Sequence, residues 1–375
     1  MVNPIPAAVN YWFFDTDAWD EYRAAVQAMF RSSRCLTAYF FRVLIALQML
    51  SYLVRRFVYM ILLLFLISIT AFIIIQLPPG DFLTTYIARL QEQDTEVRQD
   101  EVDALRNAYG LDRPMYQQYL RWIGGAVRGN FGMSFQWNQP VANLIGERIM
   151  LTIMISVITL LFTYLVAVPI GIYSALNQYS FGDYLFTTVG FVGLATPNFL
   201  LALILMFVFF KFLNVNVGGL FSIEYMRAGW SLAKVWDLLK HLPIPVIVIG
   251  TAGTAGLIRV MRGCLLDELR KQYVITARTK GLNEGTLLFR YPVRIAINPI
   301  VSTIGWVLPA IVSGGTITAL VLDLPTTGPL LMQALLSQDM YLSATILMLL
   351  SALTIIGMFI SDILLALVDP RIRFD

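Results

Sequence analysis

The side chains that could do covalent or metal chemistry are few, and their spacing does not suit it. His241 is the only histidine in 375 residues, which excludes an HExxH helix and any site built on several imidazoles. Cys35 and Cys264 are the only cysteines. They stand far apart and form no CxxC, so they frame neither a disulfide scaffold nor a zinc site. No GxSxG elbow presents a serine nucleophile, and no GxxxxGKS/T loop exists to cradle phosphates in a Walker-type site. What remains is recognition chemistry, densest between Arg259 and Pro299, where cations and hydroxyls alternate with strong helix formers on either side of Gly281. Two short basic helices about a glycine corner suit docking onto a soluble partner. An ordinary positively charged loop beside a membrane has the same composition.

The elements that must hold this run are membrane helices. Hydrophobic residues make up 58% of the chain and charged residues 14%, with a mean hydropathy of +0.70, whereas soluble domains carry roughly 25% charge. The net charge of +3 is spread along the chain and gives no reason to expect nucleic acid. Because about 20 apolar residues cross a hydrocarbon core, the charge-free windows predict spans at Val58–Leu77, Ile149–Leu176, Tyr184–Phe210, Leu242–Ile258, Ile295–Leu322 and Met340–Ser361. Pro197 should kink the third. The expected fold class is an all-α membrane protein with about six transmembrane helices.

Six spans put both termini on one side. With the N-terminus inside, the inner segments hold 16 of the 27 Lys and Arg residues, and the outer segments 211–240 and 323–339 hold four. The long outer segment 78–148 holds seven, but long translocated loops respond weakly to their own charge. Both termini are therefore expected in the cytoplasm. Residues 1–30 are acidic and aromatic and do not read as a cleavable signal peptide. Residues 1–51 are expected to form a cytoplasmic N-terminal extension ending in an interfacial amphipathic helix at 35–50, the alternative being a seventh span there that would put the N-terminus outside, and 52–375 to form the transmembrane domain. Within it, 78–148 is an extracytoplasmic loop and 264–298 a cytoplasmic one. In the outer loop Glu96–Tyr109 favours a charged helix, and Tyr116, Tyr119, Leu120 and Ile123 recur at helical spacing.

The spans themselves are nearly free of ionisable groups, since Asp323, Asp339 and Asp362 fall at predicted span ends. A stand-alone carrier driven by protons or sodium keeps such groups inside the membrane, so a solute path through this chain needs energy from partners. Gly250, Gly253 and Gly256 make the fourth span slim enough for close helix contact, either within the chain or at a moving interface. Thr196, Asn198, Ser313 and Thr316 are polar positions inside spans. They need interhelical partners or a water-filled path, and are the candidate path residues.

The run Gln272-Tyr-Val-Ile-Thr-Ala-Arg-Thr-Lys-Gly281-Leu282 resembles the EAA loop of ATP-binding cassette importer permeases, most of all the dipeptide/oligopeptide branch with its DYVRTARAKGL. Further resemblances follow in order: PPGD at 78–81, GLDRP at 110–114, YLRW at 119–122, GNFGMS at 129–134, ATPNF at 195–199 and DPRIR at 369–373. Together they cover roughly residues 52–375. The resemblance implies a type I importer fold in a bacterial inner membrane, with a second homologous permease subunit enclosing the path. It implies two ATP-binding subunits that use ATP and magnesium, and an extracytoplasmic solute-binding protein. For this chain it implies no catalytic residue, cofactor or metal, and a coupling role for Tyr273, Ala277, Arg278, Lys280, Gly281 and Leu282. Two departures stand out. Ile275 replaces the EAA glutamate, and the run Ile317–Gly328 lacks the branch's Glu and Phe, with Ala319 and Leu322 in that stretch. Peptides are the implied cargo, and oligosaccharides or glycosides the alternative.

Overall fold

The computed structural model describes residues 51, 53–78, 82–84, 87, 106–107, 112–213, 218–226 and 228–368, with all their side chains except those of 213, 313, 314 and 366–368. The helix expected at 35–50, all but Arg106 and Asn107 of the one at 96–109, and the run at 369–373 lie outside the described residues. Tyr59–Pro370 form one compact unit, and the packing below is internal to it. Met1–Val58 with Arg371–Asp375 form another, described only over the start of the first helix.

Helix α1 spans Leu53–Gln76 and α2 Met115–Ala126. The long α3, Val141–Leu176, is followed by α4 at Phe181–Ala195 and α5 at Asn198–Val208. Then come α6, Leu232–His241, α7, Pro243–Leu269, and the short pair α8, Gln272–Thr279, and α9, Glu284–Arg290. The chain closes with α10, Pro292–Ser302, α11, Ile304–Val321, α12, Thr327–Leu336, and α13, Met340–Val368. Helices α1, α3, α7, α11 and α13 are long and apolar enough to cross a membrane, and α4 with α5 supplies a sixth crossing if the bent pair is one span.

Several expected spans are redrawn. The third is not a kinked rod, because α4 and α5 turn by 107° at Thr196–Pro197. Proline has no N–H to continue the ladder, and its ring pushes the preceding residue out of the helical region. Thr196 accordingly sits at φ −89° and ψ 120°. The fifth divides at Thr303 into α10 and α11. The fourth continues beyond Ile258 through Arg259, Arg262, Asp267 and Glu268 to Leu269, since charge ends a lipid-compatible stretch without ending a helix. Likewise Asp362 lies within α13 rather than past its end. Short α6 and α12 escape a search for long charge-free windows. Helix α2 stands where its spacing predicted, but Gln118 and Trp122 are its buried residues, while Tyr116 and Leu120 are exposed.

Helix α7 is the central post. Its apolar window is 56% buried against 22% for α1, and it touches α3, α4, α5, α6, α10 and α11. Lipid is as apolar as leucine, so membrane helices associate through close contact rather than through escape from water. A Cβ on Gly250 would lie 3.0 Å from Phe162, and one on Gly253 would lie 3.6 Å from Thr163, both on α3. On Gly171 of α3 it would come within 2.6 Å of Met261. Gly250 and Gly253 thus serve packing inside the chain, whereas a Cβ on Gly256 meets nothing within 4 Å.

One end of the helices carries an aromatic cap. Phe72 stacks on Trp122 at 5.7 Å and meets Tyr119 edge-on at 5.4 Å, while Phe135 packs against Tyr341 at 5.2 Å. Fully buried Asp339 ties the cap to α13. It accepts from Ser134 Oγ at 2.5 Å, the Gln136 amide at 3.1 Å and the Leu342 amide at 3.3 Å. Burial raises its pKa above the ordinary carboxylate range, and these donors offset the rise in part.

Candidate functional site

The basic run folds as two short helices on the end of the central post. Helix α7 ends at Leu269 and α8 begins at Gln272, with Glu268 bracing the junction. This buried carboxylate accepts from Lys271 Nζ at 2.6 Å through one oxygen and from Tyr273 Oη at 2.5 Å through the other. Tyr273 responds with a strongly raised pKa, from burial first and then from the carboxylate beside it. Helix α8 is therefore held to α7 by a polar clasp as well as by the backbone.

Gly281 makes the corner between α8 and α9. Its φ is +77°, a left-handed conformation that glycine adopts at helix C-termini without the steric cost of a Cβ. The Lys280 amide closes on Thr276 O at 3.2 Å, and the Gly281 amide on Arg278 O at 3.0 Å. A Cβ at Gly281 would meet nothing within 4 Å, so the constraint is the backbone angle and not space. Asn283 then caps α9 by accepting from the Gly285 amide at 3.2 Å. Across the corner Arg278 grips Glu284 with two bonds, Nε to Oε1 at 2.6 Å and Nη2 to Oε2 at 3.1 Å. Each group stabilises the other's charge, raising the Arg278 pKa and lowering that of Glu284.

The six sequence candidates divide into two sets. Ala277 is buried with Val274 and Leu287, and Tyr273 and Leu282 pack on that small core. These three give the loop its shape. Arg278, Lys280 and Gly281 are exposed and form the outward face. Ile275, in place of the EAA glutamate, is also outward and 44% exposed, as is Phe289 at 64%. Glu268, Glu284 and Phe289 were not singled out from sequence. Acidic residues within a basic run read as ordinary loop composition, and only the fold shows whom they grip.

The four path candidates do not share one cavity. Thr196 donates to Val192 O at 2.8 Å at the α4–α5 break, beside half-buried Asn198. Thr316 on α11 borders a cavity of about 30 Å³ with Thr152, Ser156, Thr326 and Thr327, which neither Thr196 nor Asn198 lines. Gly328 presses on it, since a Cβ there would lie 3.1 Å from the Thr316 Cα. Ser313 lies on α11, and its side chain is outside the described residues. No group of three or more potential metal ligands occurs among the described residues.

Residues 167–374 match the family described as binding-protein-dependent transport system inner membrane component, and residues 49–158 match that family's N-terminal region. The chain belongs to this family. It is similar to the oligopeptide transport system permease protein AppB of Bacillus subtilis, 33% identical over 329 residues, covering 87% of this chain and all of that protein. It is similar over the same shares to the oligopeptide transport system permease protein OppB of Haemophilus influenzae at 28% identity. The glutathione transport system permease protein GsiC of Escherichia coli K12 is 29% identical, again over 87% of this chain and all of the relative. The family places the chain as a multi-pass inner-membrane permease subunit of an ATP-binding cassette importer, with the type I fold and with ATP-binding and substrate-binding proteins as partners. The first 48 residues lie outside both matched regions.

Proposed function

We propose that this chain forms half of a peptide path in such an importer, and that the α8–α9 corner is the plug through which ATP-binding subunits move it. The observation that carries the reading is the left-handed corner at Gly281, with Arg278 and Lys280 outward and Glu268 tying α8 to the central post. A plug that transmits force must resist bending where it meets the lever. The assembly has one further homologous permease, two ATP-binding subunits that hold ATP and magnesium, and one extracytoplasmic binding protein. Loop 264–298 and both termini face the cytoplasm, and 78–148 faces outside, supported by the distribution of Lys and Arg. Thr196 and Asn198 border the path at the α4–α5 break.

The cargo is a peptide. The names of the three relatives above all denote peptides, glutathione being a tripeptide. The departures that raised sugars concern Ala319 and Leu322, which are 4% and 0% exposed. Both are packed within this chain, Ala319 beside the cavity that Thr316 borders, so the departures give weaker support to sugars than the relatives' names give to peptides. Uptake competition in cells carrying the complete system tests this. Unlabelled short peptides should suppress uptake and oligosaccharides should not, and the opposite pattern overturns the peptide assignment.

A further inference from the structure

Helix α4 meets the central post α7 along a thin seam. A Cβ on Gly190 would touch Ala255 at 3.4 Å, and one on Gly193 would collide with Thr251 at 2.5 Å. Between these helices lies a crevice of about 20 Å³ bordered by Phe186, Thr187, Ala255, Ile258, Arg259 and Arg262. The seam is closed at the end nearest the plug by Asp183, on the first turn of α4, and Arg262 on α7, at 3.1 Å. Asp183 is 6% and Arg262 31% exposed at the side chain. The same Asp183 oxygen accepts the Tyr179 amide at 3.0 Å, holding the α3–α4 corner where Tyr179 takes φ +61°. One helical turn further along α7, Arg259 lies 5.4 Å from the Phe191 ring of α4.

We infer that the Asp183–Arg262 pair is a positioning clasp that makes α4 follow α7, carrying the plug's motion to the α4–α5 break. This rests on the plug reading above and extends it from the docking surface to the path. The geometry supplies both halves of the linkage. Glu268 joins the plug to α7 six residues beyond Arg262, and α4 leads from Asp183 in its first turn to the break at Thr196. Breaking one member of a buried pair leaves the other charge uncompensated. Arg262 reaches Asp183 through Nη2 alone, so the clasp is one bond deep and a single substitution breaks it.

The test uses the complete reconstituted complex with Asp183→Asn, Arg262→Gln and Arg262→Lys. Asn retains an acceptor for the Tyr179 amide, so the corner survives while the charge is lost. Lys can restore the single contact, because this guanidinium binds through one nitrogen and not as a fork. Asp183→Asn and Arg262→Gln should keep assembly and ATP hydrolysis within about twofold while peptide uptake per ATP falls about tenfold. Arg262→Lys should keep uptake. Unchanged uptake in Asp183→Asn and Arg262→Gln overturns the clasp, as does a parallel loss of assembly, hydrolysis and uptake, which marks a structural role only. Gly281→Val measured alongside separates the two readings. An unaffected Gly281→Val overturns the plug, whereas a defective one with normal Asp183 and Arg262 variants overturns the clasp alone.

Discussion

Asp339 in the aromatic cap and Glu268 at the base of the plug are both buried carboxylates, yet they are held by different partners. Asp339 collects neutral donors, one hydroxyl and two amides, inside a cluster of aromatic rings. Glu268 is neutralised by a lysine and accepts from a tyrosine hydroxyl at a helix junction, and six residues past Arg278, across the Gly281 corner, Glu284 grips its guanidinium in the open. Neutral hydrogen bonds in a packed cluster fix one geometry. Glu268 likewise anchors the base of the plug, but the exposed Arg278–Glu284 pair can exchange partners at little cost, because solvent screens both states. The cap is built to stay as it is, and the plug is built to meet something else.

Removing the cap's acceptor should have the largest effect. Asp339→Leu strands the Ser134 hydroxyl and the Gln136 and Leu342 amides, and each buried donor left unpaired costs about 1–3 kcal/mol. Thermal unfolding of the purified complex should shift down by several degrees, and a shift no greater than that of an exposed control would remove the contrast. Next in size is Glu268→Gln. It should leave thermal stability close to wild type but reduce uptake per ATP about fivefold, since the neutral amide keeps one acceptor oxygen for Lys271 and Tyr273 and sets an NH2 donor where the other oxygen was. Co-purification with the ATP-binding subunits separates loosened docking from misfolding.

The pH response sharpens the same comparison. The folded state raises the Asp339 pKa, so it binds that proton more tightly than the unfolded chain does. This contribution to stability is therefore greatest below the ordinary carboxylate value of about 4, falls as pH rises through the raised value, and is flat above it. Asp339→Asn should flatten that slope in thermal unfolding measured across acid pH, and an unchanged slope assigns it to other groups. The smallest effect is expected at the exposed pair. Arg278→Ala and Glu284→Ala should not measurably change thermal stability, while Arg278→Ala weakens co-purification of the ATP-binding subunits. Equal co-purification in both variants and wild type would show that Arg278 serves the corner only.

Much of this was legible from residue order. Charge-free windows located the crossings because the hydrocarbon core imposes a length, and Gly281 announced a left-handed corner because few other residues tolerate one. The turn at Thr196–Pro197 was foreseen as a kink only, since proline breaks a helix without stating the angle at which neighbours will seat the next. Helices α6 and α12 are too short to register by length. Glu268 meets Lys271 and Tyr273 three and five residues on, a local pairing that went unread because the basic run drew attention to its cations, whereas the partners of Asp183 and Asp339 could not be read at all. Asp183 meets Arg262 across 79 residues and Asp339 meets Ser134 across 205, and no local spacing encodes such pairs. Ala319 and Leu322 show a different limit, since a departure from a family pattern suggested altered cargo while the fold buries both side chains within this chain.

The central claim is that the α8–α9 corner touches an ATP-binding subunit. Its most direct measurement is cross-linking in the assembled complex, with Cys35 and Cys264 replaced and a single cysteine placed at Lys280 or, as the control, at Asn130. A short thiol cross-linker should join position 280 to an ATP-binding subunit and leave position 130 unjoined to it. Joining from 130 but not from 280 would contradict both the plug and the orientation of the chain.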